Sequence, residues 1–497
     1  MVRMKRLIMV SLVCAASSTT ACSGMPSGED EPGALERVGT AEQPLTHSWS
    51  MSFGDSGYQS GHDIVVDGSD NVIAIGSLGY SGTIDFDGAG GAAALSTATI
   101  ASYVAKFDEY GVHVWSESFD DVALRKLAAD SGGNVYLAGY TQAEYVDVGG
   151  GALYAGDGQG VVVLKLDSSG NHVWSQVFSG YGSSDHASGH GIAVDSSGDV
   201  LVTGAATGYI EFGTDSHLTY GIDAFVAKLD GSDGSPVFAD FYWSLSGSAT
   251  AVPFSIAVDP DDDSFAITGR FAGYVDFGGG PLGSNSLIVG YDDARYSDAF
   301  VAKFESDGDH LWSKRFGDDD FATGTDIVID SSGNVDVIGY FAGDIDFGSN
   351  TATLSHPGGD QSDMFLVQFS AAGTDLWSKQ FGGTALDNQE RGMGVAVDST
   401  GNLSIIGLAR NSIDFGGGTL TSAGGTDIAV AQFDDTGAYI WSNLYGGNGN
   451  QYGNGIAVDG SGKVTITGEF INSVNFGGST LTGTAASWDI YLAQLVP

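Results

Sequence analysis

Seven copies of one unit run through this chain, and a repeat of that length and number leaves few folds open. Trp followed by Ser recurs at Trp49, Trp115, Trp174, Trp243, Trp312, Trp377 and Trp441, about every 65 residues. Between these marks an apolar run ends in Asp seven times, at Asp67, Asp130, Asp195, Asp259, Asp330, Asp398 and Asp459. Consecutive apolar residues, as in Ile456-Ala457-Val458, fit a short strand buried on both faces. A turn rich in Ser, Gly, Asn and Asp follows, then a second β-branched run ending in Gly, which reads as a hairpin. A third apolar segment recurs seven times from Tyr103 to Val496, and the first six copies lead through a Gly-containing turn into the Trp strand.

Each unit is therefore four strands: an innermost A strand, then B, C and an outer Trp-bearing D strand. Four-stranded units repeated radially make a β-propeller, because one unit cannot bury both its faces without neighbours. The fold class is all-β, a seven-bladed propeller with four antiparallel strands per blade. The final copy stops after its C strand, while residues 46–53 form a Trp strand with no A, B or C before them. The N-terminal strand is expected to complete the seventh blade and close the ring.

The segments GIAVDGSGKVTITGEF at 455–470 and DAFVAKFESDG at 298–308 resemble the bacterial seven-bladed propeller repeat called SBBP, found in surface and secreted proteins and many lipoproteins. The resemblance covers roughly residues 46–497 and implies the architecture but no single activity. Two departures fall in the third and fourth units. Gly247 stands where an aromatic four residues after Trp243 is expected, and Ser264-Phe265 replaces the usual Asn-Val.

Residues 1–22 read as a signal peptide: Arg3, Lys5 and Arg6 precede an apolar stretch that is too short to span a bilayer. Thr19-Thr20-Ala21-Cys22 resembles a lipobox, which makes Cys22 the expected lipidation site. Ser23 after it implies outer-membrane sorting by the same resemblance; without lipidation the protein would be secreted. Residues 23–45 are rich in Gly, Pro, Ser and acids and read as a disordered tether, leaving 46–497 for the propeller. Cys14 and Cys22 are the only cysteines, so the propeller holds no disulfide.

A formal charge of −44, from 62 acids against 18 bases, repels phosphate backbones and anionic lipid. Nucleic-acid partners are excluded, membrane contact is expected only through the lipid, and a monomer is expected.

Residues that recur belong to the blade; a functional group should break the symmetry. The seven Asp opening the A–B turns read as Asx-turn caps. A second acidic set lies in the B–C connections (Asp85, Asp147, Glu211, Asp276, Asp346, Asp414, with Asn475), and a third opens the C strands (Asp223, Asp298, Asp363, Asp427, Asp489). These read as turn caps too, although carboxylates converging on the channel could hold Ca2+ weakly. His47, His113, His172 and His310, each two residues before a Trp, read as repeat-encoded surface positions. The trio Asp185, His186 and His190 does not recur and has metal-ligand chemistry, placed in a D–A connection. Glu390, Arg391, Arg410, Arg270 and the run 318–320 are also unshared, and none has a mechanistic partner nearby in sequence. No residue is assigned to catalysis and no cofactor is expected.

Two functions follow. The first is a cell-surface module whose long B–C connections gather on one face and present residues such as Tyr80, Tyr145, Tyr220 and Tyr291 to a protein or glycan. The second is an extracellular polysaccharide hydrolase or lyase with an acidic site at the top of the channel.

Overall fold

In the computed structural model the described residues are 45–79, 83–87, 94–97, 99, 101–219, 221–243, 249–284, 297–318, 320–356, 361–383, 389–484 and 487–497. The expected signal peptide, with Cys22, and all of the tether except Leu45 lie outside them. Glu42–Pro497 is one structural unit.

Seven four-stranded antiparallel sheets follow one another along the chain, each in the order A-B-C-D from channel to rim. The first blade is Gln59–Val66, Val72–Leu78, Ala101–Phe107 and His113–Asp120. The seventh takes A, B and C from Gln451–Val458, Val464–Phe470 and Asp489–Val496, and its D strand is Thr46–Phe53, paired to the C strand from Thr46 opposite Val496 to Phe53 opposite Ile490. The ring thus closes through the N-terminal strand, and Leu45 extends the packing by resting on the cluster around Phe470 and Tyr491.

The C strands are buried along nearly their whole length, which is why they read as unbroken apolar runs. Each apolar cluster spans two blades. Ile73, Ile75, Val104 and Phe119 of blade 1 pack with Leu124, Leu137, Val162 and Leu164 of blade 2, so no blade has a core of its own.

At the rim, the D-strand indole reaches the next blade. Trp49 donates Nε1–H to the Glu109 carbonyl at 3.2 Å, Trp115 to Ser168 at 3.1 Å, Trp174 to Gly231 at 3.1 Å and Trp312 to Ala371 at 2.9 Å, all in C–D turns. The turn glycine lies on the ring: a Cβ on Gly170 (φ 86°) would come within 2.8 Å of Trp115. Only Gly combines that left-handed backbone with so close an approach.

Trp243 is not part of this series. The D strand of blade 3 is Pro236–Tyr242, in which Phe238 faces Lys228 just as Trp115 faces Lys106, and Tyr242 fills the aromatic position four residues on. Gly308 of the next blade lies beside Phe238, where other blades set Gly against Trp. Trp243 follows the strand and is exposed, so the missing aromatic expected at Gly247 is present as Tyr242.

The B–C connections also differ from expectation. Rather than forming free loops, each closes into a short hairpin: Tyr145 pairs with Tyr154 in blade 2, Tyr209 with Leu218 in blade 3, and Asp414 with Thr419 in blade 6. The driving residues are an apolar pair that recurs in all seven: Ile84/Phe86, Val146/Val148, Ile210/Phe212, Val275/Phe277, Ile345/Phe347, Ile413/Phe415 and Val474/Phe476, all buried. The hairpin tip folds onto the residue that opens the D strand of its own blade. A Cβ on Gly150 would meet His172 at 2.4 Å, on Gly279 His310 at 2.2 Å and on Gly478 His47 at 2.4 Å. These histidines hydrogen-bond the Ser three residues on, as His172 Nε2 does to Ser175 Oγ at 2.9 Å, so their recurrence is structural.

Candidate functional site

Every A strand carries one extra residue. The ladder to the B strand slips between Gly61 and Asp63, Leu124 and Lys126, Gly189 and Gly191, Pro253 and Ser255, Gly324 and Asp326, Gly392 and Gly394, and Gly453 and Gly455. A bulge of this kind bends a strand and re-aims the unpaired side chain. The seven bulged residues are His62, Arg125, His190, Phe254, Thr325, Met393 and Asn454, and all seven line one cavity of about 480 Å3 at the channel mouth. Here the repeat loses its sevenfold symmetry: no bulge residue is shared by more than two blades.

Four of the seven are polar links around the ring. His62 Nδ1 bonds the Leu124 carbonyl at 3.1 Å, His190 Nδ1 the Pro253 carbonyl at 2.9 Å, Thr325 Oγ1 the Gly392 carbonyl at 2.8 Å and Asn454 Nδ2 the Gly61 carbonyl at 2.8 Å. Each acceptor is the carbonyl just before the next blade's bulge, so the links tie neighbours together at the axis. A carbonyl can only accept, so the ring nitrogen facing it must donate, which puts the proton of both histidines on Nδ1 and a lone pair on Nε2. His190 Nε2 lies 2.7 Å from Ser188 Oγ. Burial and the positive charge of Arg125, joined for His190 by Arg270, push both imidazoles down to about 4, so both are neutral at physiological pH.

One layer below, Lys126 crosses the channel between Asp63 (3.5 Å) and Asp326 (3.4 Å). Asp326 also accepts from Ser255 Oγ at 2.7 Å and from the Val395 amide at 3.0 Å, and Asp63 from the Leu127 amide at 3.1 Å. Burial opposes charge on Lys126, but the two carboxylates outweigh it and hold the ammonium well above its ordinary value. Of this bridge, Lys126 lines the cavity.

The other walls are basic and aromatic. Arg125 stands over Tyr140 at 5.3 Å, Arg391 over Tyr340 at 4.9 Å and Arg270 over Phe254 at 5.6 Å. Among the described residues none of the three arginines is in an ion pair, and no carboxylate is part of the cavity lining. Among the described residues the lining of this cavity is basic and aromatic rather than acidic. The acids went elsewhere because each repeat spends them on turns, as Asp330 Oδ1 does in accepting from the Ser332 and Asn334 amides at 2.8 and 2.9 Å.

The cavity opens on the face where B–C and D–A connections meet. Parallel bridges there join Gln159 to His186, Ile222 to Thr250 and Ser362 to Gln389, each linking the entry to a C strand with the start of the next A strand.

The other sequence candidates are scattered. Asp185 accepts from the Gly182 and Tyr209 amides at 2.8 and 3.1 Å. His186 and His190 belong to the A strand His186–Val194 rather than to a loop; His186 is exposed while His190 faces the channel, so the trio does not converge. Among the described residues no group of His, Cys, Asp and Glu could hold a metal ion. Asp147, Asp276 and Asp414 each accept from two glycine amides of their hairpin tips, at 2.8–3.2 Å. Of the C-strand acids, Asp298 pairs with Arg315 at 2.6 Å and Asp223 with His217 at 2.9 Å. Tyr145 is exposed and packs on Tyr154 at 5.2 Å, whereas Tyr80, Tyr220 and Tyr291, like Asp319, lie outside the described residues. Arg410 is exposed. Glu390 is fully buried; burial and neighbouring Asp363 push it up to about 8, against the opposing pull of the Arg410 amide.

No family model matches this chain. It is 24% identical over 426 residues to an uncharacterised WD repeat-containing protein of Acanthamoeba polyphaga mimivirus, covering 69% of this chain and 30% of that protein. It is 25% identical over 421 residues to the regulatory protein FlaEY of Caulobacter vibrioides, covering 78% of this chain and 40% of that protein. The chain thus spans less than half the length of these curated relatives. Among solved structures it is similar to the Dos1 propeller, at 9% identity over 90% of this chain and 94% of that one with a TM-score of 0.40. The quinohemoprotein alcohol dehydrogenase of Comamonas testosteroni is similar at 11% identity over 91% and 76%, also with a TM-score of 0.40.

Proposed function

We propose that this protein is an exported, SBBP-type surface propeller, tethered to the outer membrane by a lipid on Cys22, that binds a protein or glycan ligand at its channel mouth without transforming it. One observation carries the binding reading: the seven blades agree in their four strands and their B–C hairpins, and differ at the bulge residues that line the cavity. A scaffold alone has no physical need for Arg, Phe and Met at three equivalent positions. A concave site of a few hundred Å3 with few convergent polar groups is what a small ligand or a protruding end of a larger one requires.

The polysaccharide hydrolase or lyase reading has weaker support. Glycoside hydrolysis needs two carboxylates about 5–10 Å apart, whereas Asp63 and Asp326 are committed to Lys126 and backbone amides. Export and anchoring rest on residues 1–22, and labelling of Cys22 with a fatty-acid analogue in the producing cell, lost in Cys22→Ser, tests them.

Binding is tested by a glycan array and an envelope pull-down with the native protein and with Met393→Trp, which fills the cavity from a bulge that makes no ring link. Loss of every captured partner in the variant supports the site; unchanged capture moves it elsewhere on the surface.

A further inference from the structure

The whole chain carries a charge of −44, yet four of its 18 basic residues, Arg125, Lys126, Arg270 and Arg391, stand at or beside this one cavity. Lys126 is neutralised by its two carboxylates. The guanidinium groups are not: Arg125 has only a 3.3 Å bond to the Tyr140 hydroxyl, and the buried Nε of Arg391 has no partner. Thr323, which also lines the cavity, is 2% exposed and its hydroxyl is unpartnered as well. A buried donor without an acceptor is costly, so a site that keeps two, on Arg391 and Thr323, is organised for an acceptor that arrives from outside.

We propose that the channel mouth recognises a hydroxy-carboxylate of monosaccharide size, the uronic-acid residue of an acidic glycan, with Arg125 and Arg391 on its carboxylate. This deepens the binding reading above and rests on it. Guanidinium forks match a carboxylate in geometry and charge. Tyr340 carries Arg391, and Phe254 carries Arg270 and stacks on His190, so the aromatic wall holds these groups at the cavity. Neutral His62, with Nδ1 spent on the Leu124 carbonyl, presents Nε2 as an acceptor, which suits a ligand hydroxyl and gives nothing to a bare oxyanion. The surrounding negative field adds a size limit. A polyanionic chain lying along the surface is repelled over a Debye length of about 8 Å, whereas a single terminal carboxylate reaching the cavity meets unpaired guanidinium groups.

Isothermal titration of the purified protein with D-glucuronate, D-galacturonate, D-glucose and inorganic sulfate tests the inference. At least one uronate should bind one-to-one, with D-glucose and sulfate each at least ten-fold weaker. Arg391→Gln and Arg125→Gln should each weaken uronate binding ten-fold or more, Arg391→Lys less than Arg391→Gln, and Thr323→Val a few-fold, all with melts like the native protein's. The inference is overturned if D-glucose binds as well as the uronates, if sulfate matches them, if the arginine variants bind unchanged, or if no uronate binds. Array binding lost in Met393→Trp while every uronate fails would leave the channel reading standing and remove only the carboxylate; array binding untouched by Met393→Trp removes the channel reading itself.

Discussion

The rim and the channel wall are built from the same seven repeats under opposite rules. At the rim, blade after blade sets an aromatic on the next blade's turn, and even the exception at Phe238 keeps an aromatic there. At the channel wall, one residue per blade is freed from the ladder by a bulge, and its identity changes from blade to blade. In six blades the rim aromatic meets the next blade's C–D turn, whereas Trp441 donates to Gln432 of its own blade; these close contacts leave little room for change. A bulged side chain has no ladder partner to satisfy, so it can vary while the fold persists. Symmetry marks what the propeller needs to stand, and its loss marks where the seven blades act together on something else.

The strongest test of the rim is removal of Thr46–Phe53. It takes Trp49, Met51 and Phe53 from the core shared by blades 7 and 1 and bares the edge of Asp489–Val496. Losses of about 2–5 kcal/mol per large core side chain should add to a collapse of the thermal melt. A melt unchanged by the deletion would contradict ring closure.

Within the intact ring, Trp174→Ala should cost about 3–5 kcal/mol in urea denaturation, because the indole is buried and bonded to the next blade. The Lys126 bridge should respond nearly as strongly. Lys126→Met leaves Asp63 and Asp326 buried without their cation, a loss of about 3–5 kcal/mol, and Asp63→Asn with Asp326→Asn in the same chain should restore most of it.

A smaller effect separates the channel entrance from the rim by pH. Glu390 holds its proton in the folded state up to about 8, against an ordinary 4.5. Between those values the folded state binds more protons than the unfolded one, so this group makes stability fall as pH rises. Glu390→Gln should therefore melt higher than the native protein at pH 8 and equally at pH 4. The smallest change expected is Phe238→Trp, which restores the rim consensus and should stay within about 1 kcal/mol, while Tyr145→Ser on an exposed hairpin should fall within about 0.5 kcal/mol.

Much of the fold was legible in the sequence because blade strands are short, doubly buried and punctuated by Asp and Gly, a pattern that one chain repeats seven times. The reading failed where spacing imitated contact. Trp243 lies 69 residues from both Trp174 and Trp312, as if in register, but pairing puts Phe238 in that role. The B–C hairpins have a sequence signal in the apolar pair around each acid, as in Ile413-Asp414-Phe415, which the acids themselves do not carry. Of the site, His190, Arg270 and Arg391 were noticed as unshared but were assigned no common place. Nothing in local pattern says that residues from different blades face one cavity.

The sequence alone determined the number of blades, the strand order within each and the borrowed D strand, because these follow from local periodicity and from which pieces are missing at the two ends. Tertiary structure decided the character of the site. A one-residue slip in each A strand chooses which side chain leaves the ladder, and closure of the ring then brings seven such choices, hundreds of residues apart along the chain, around a single axis.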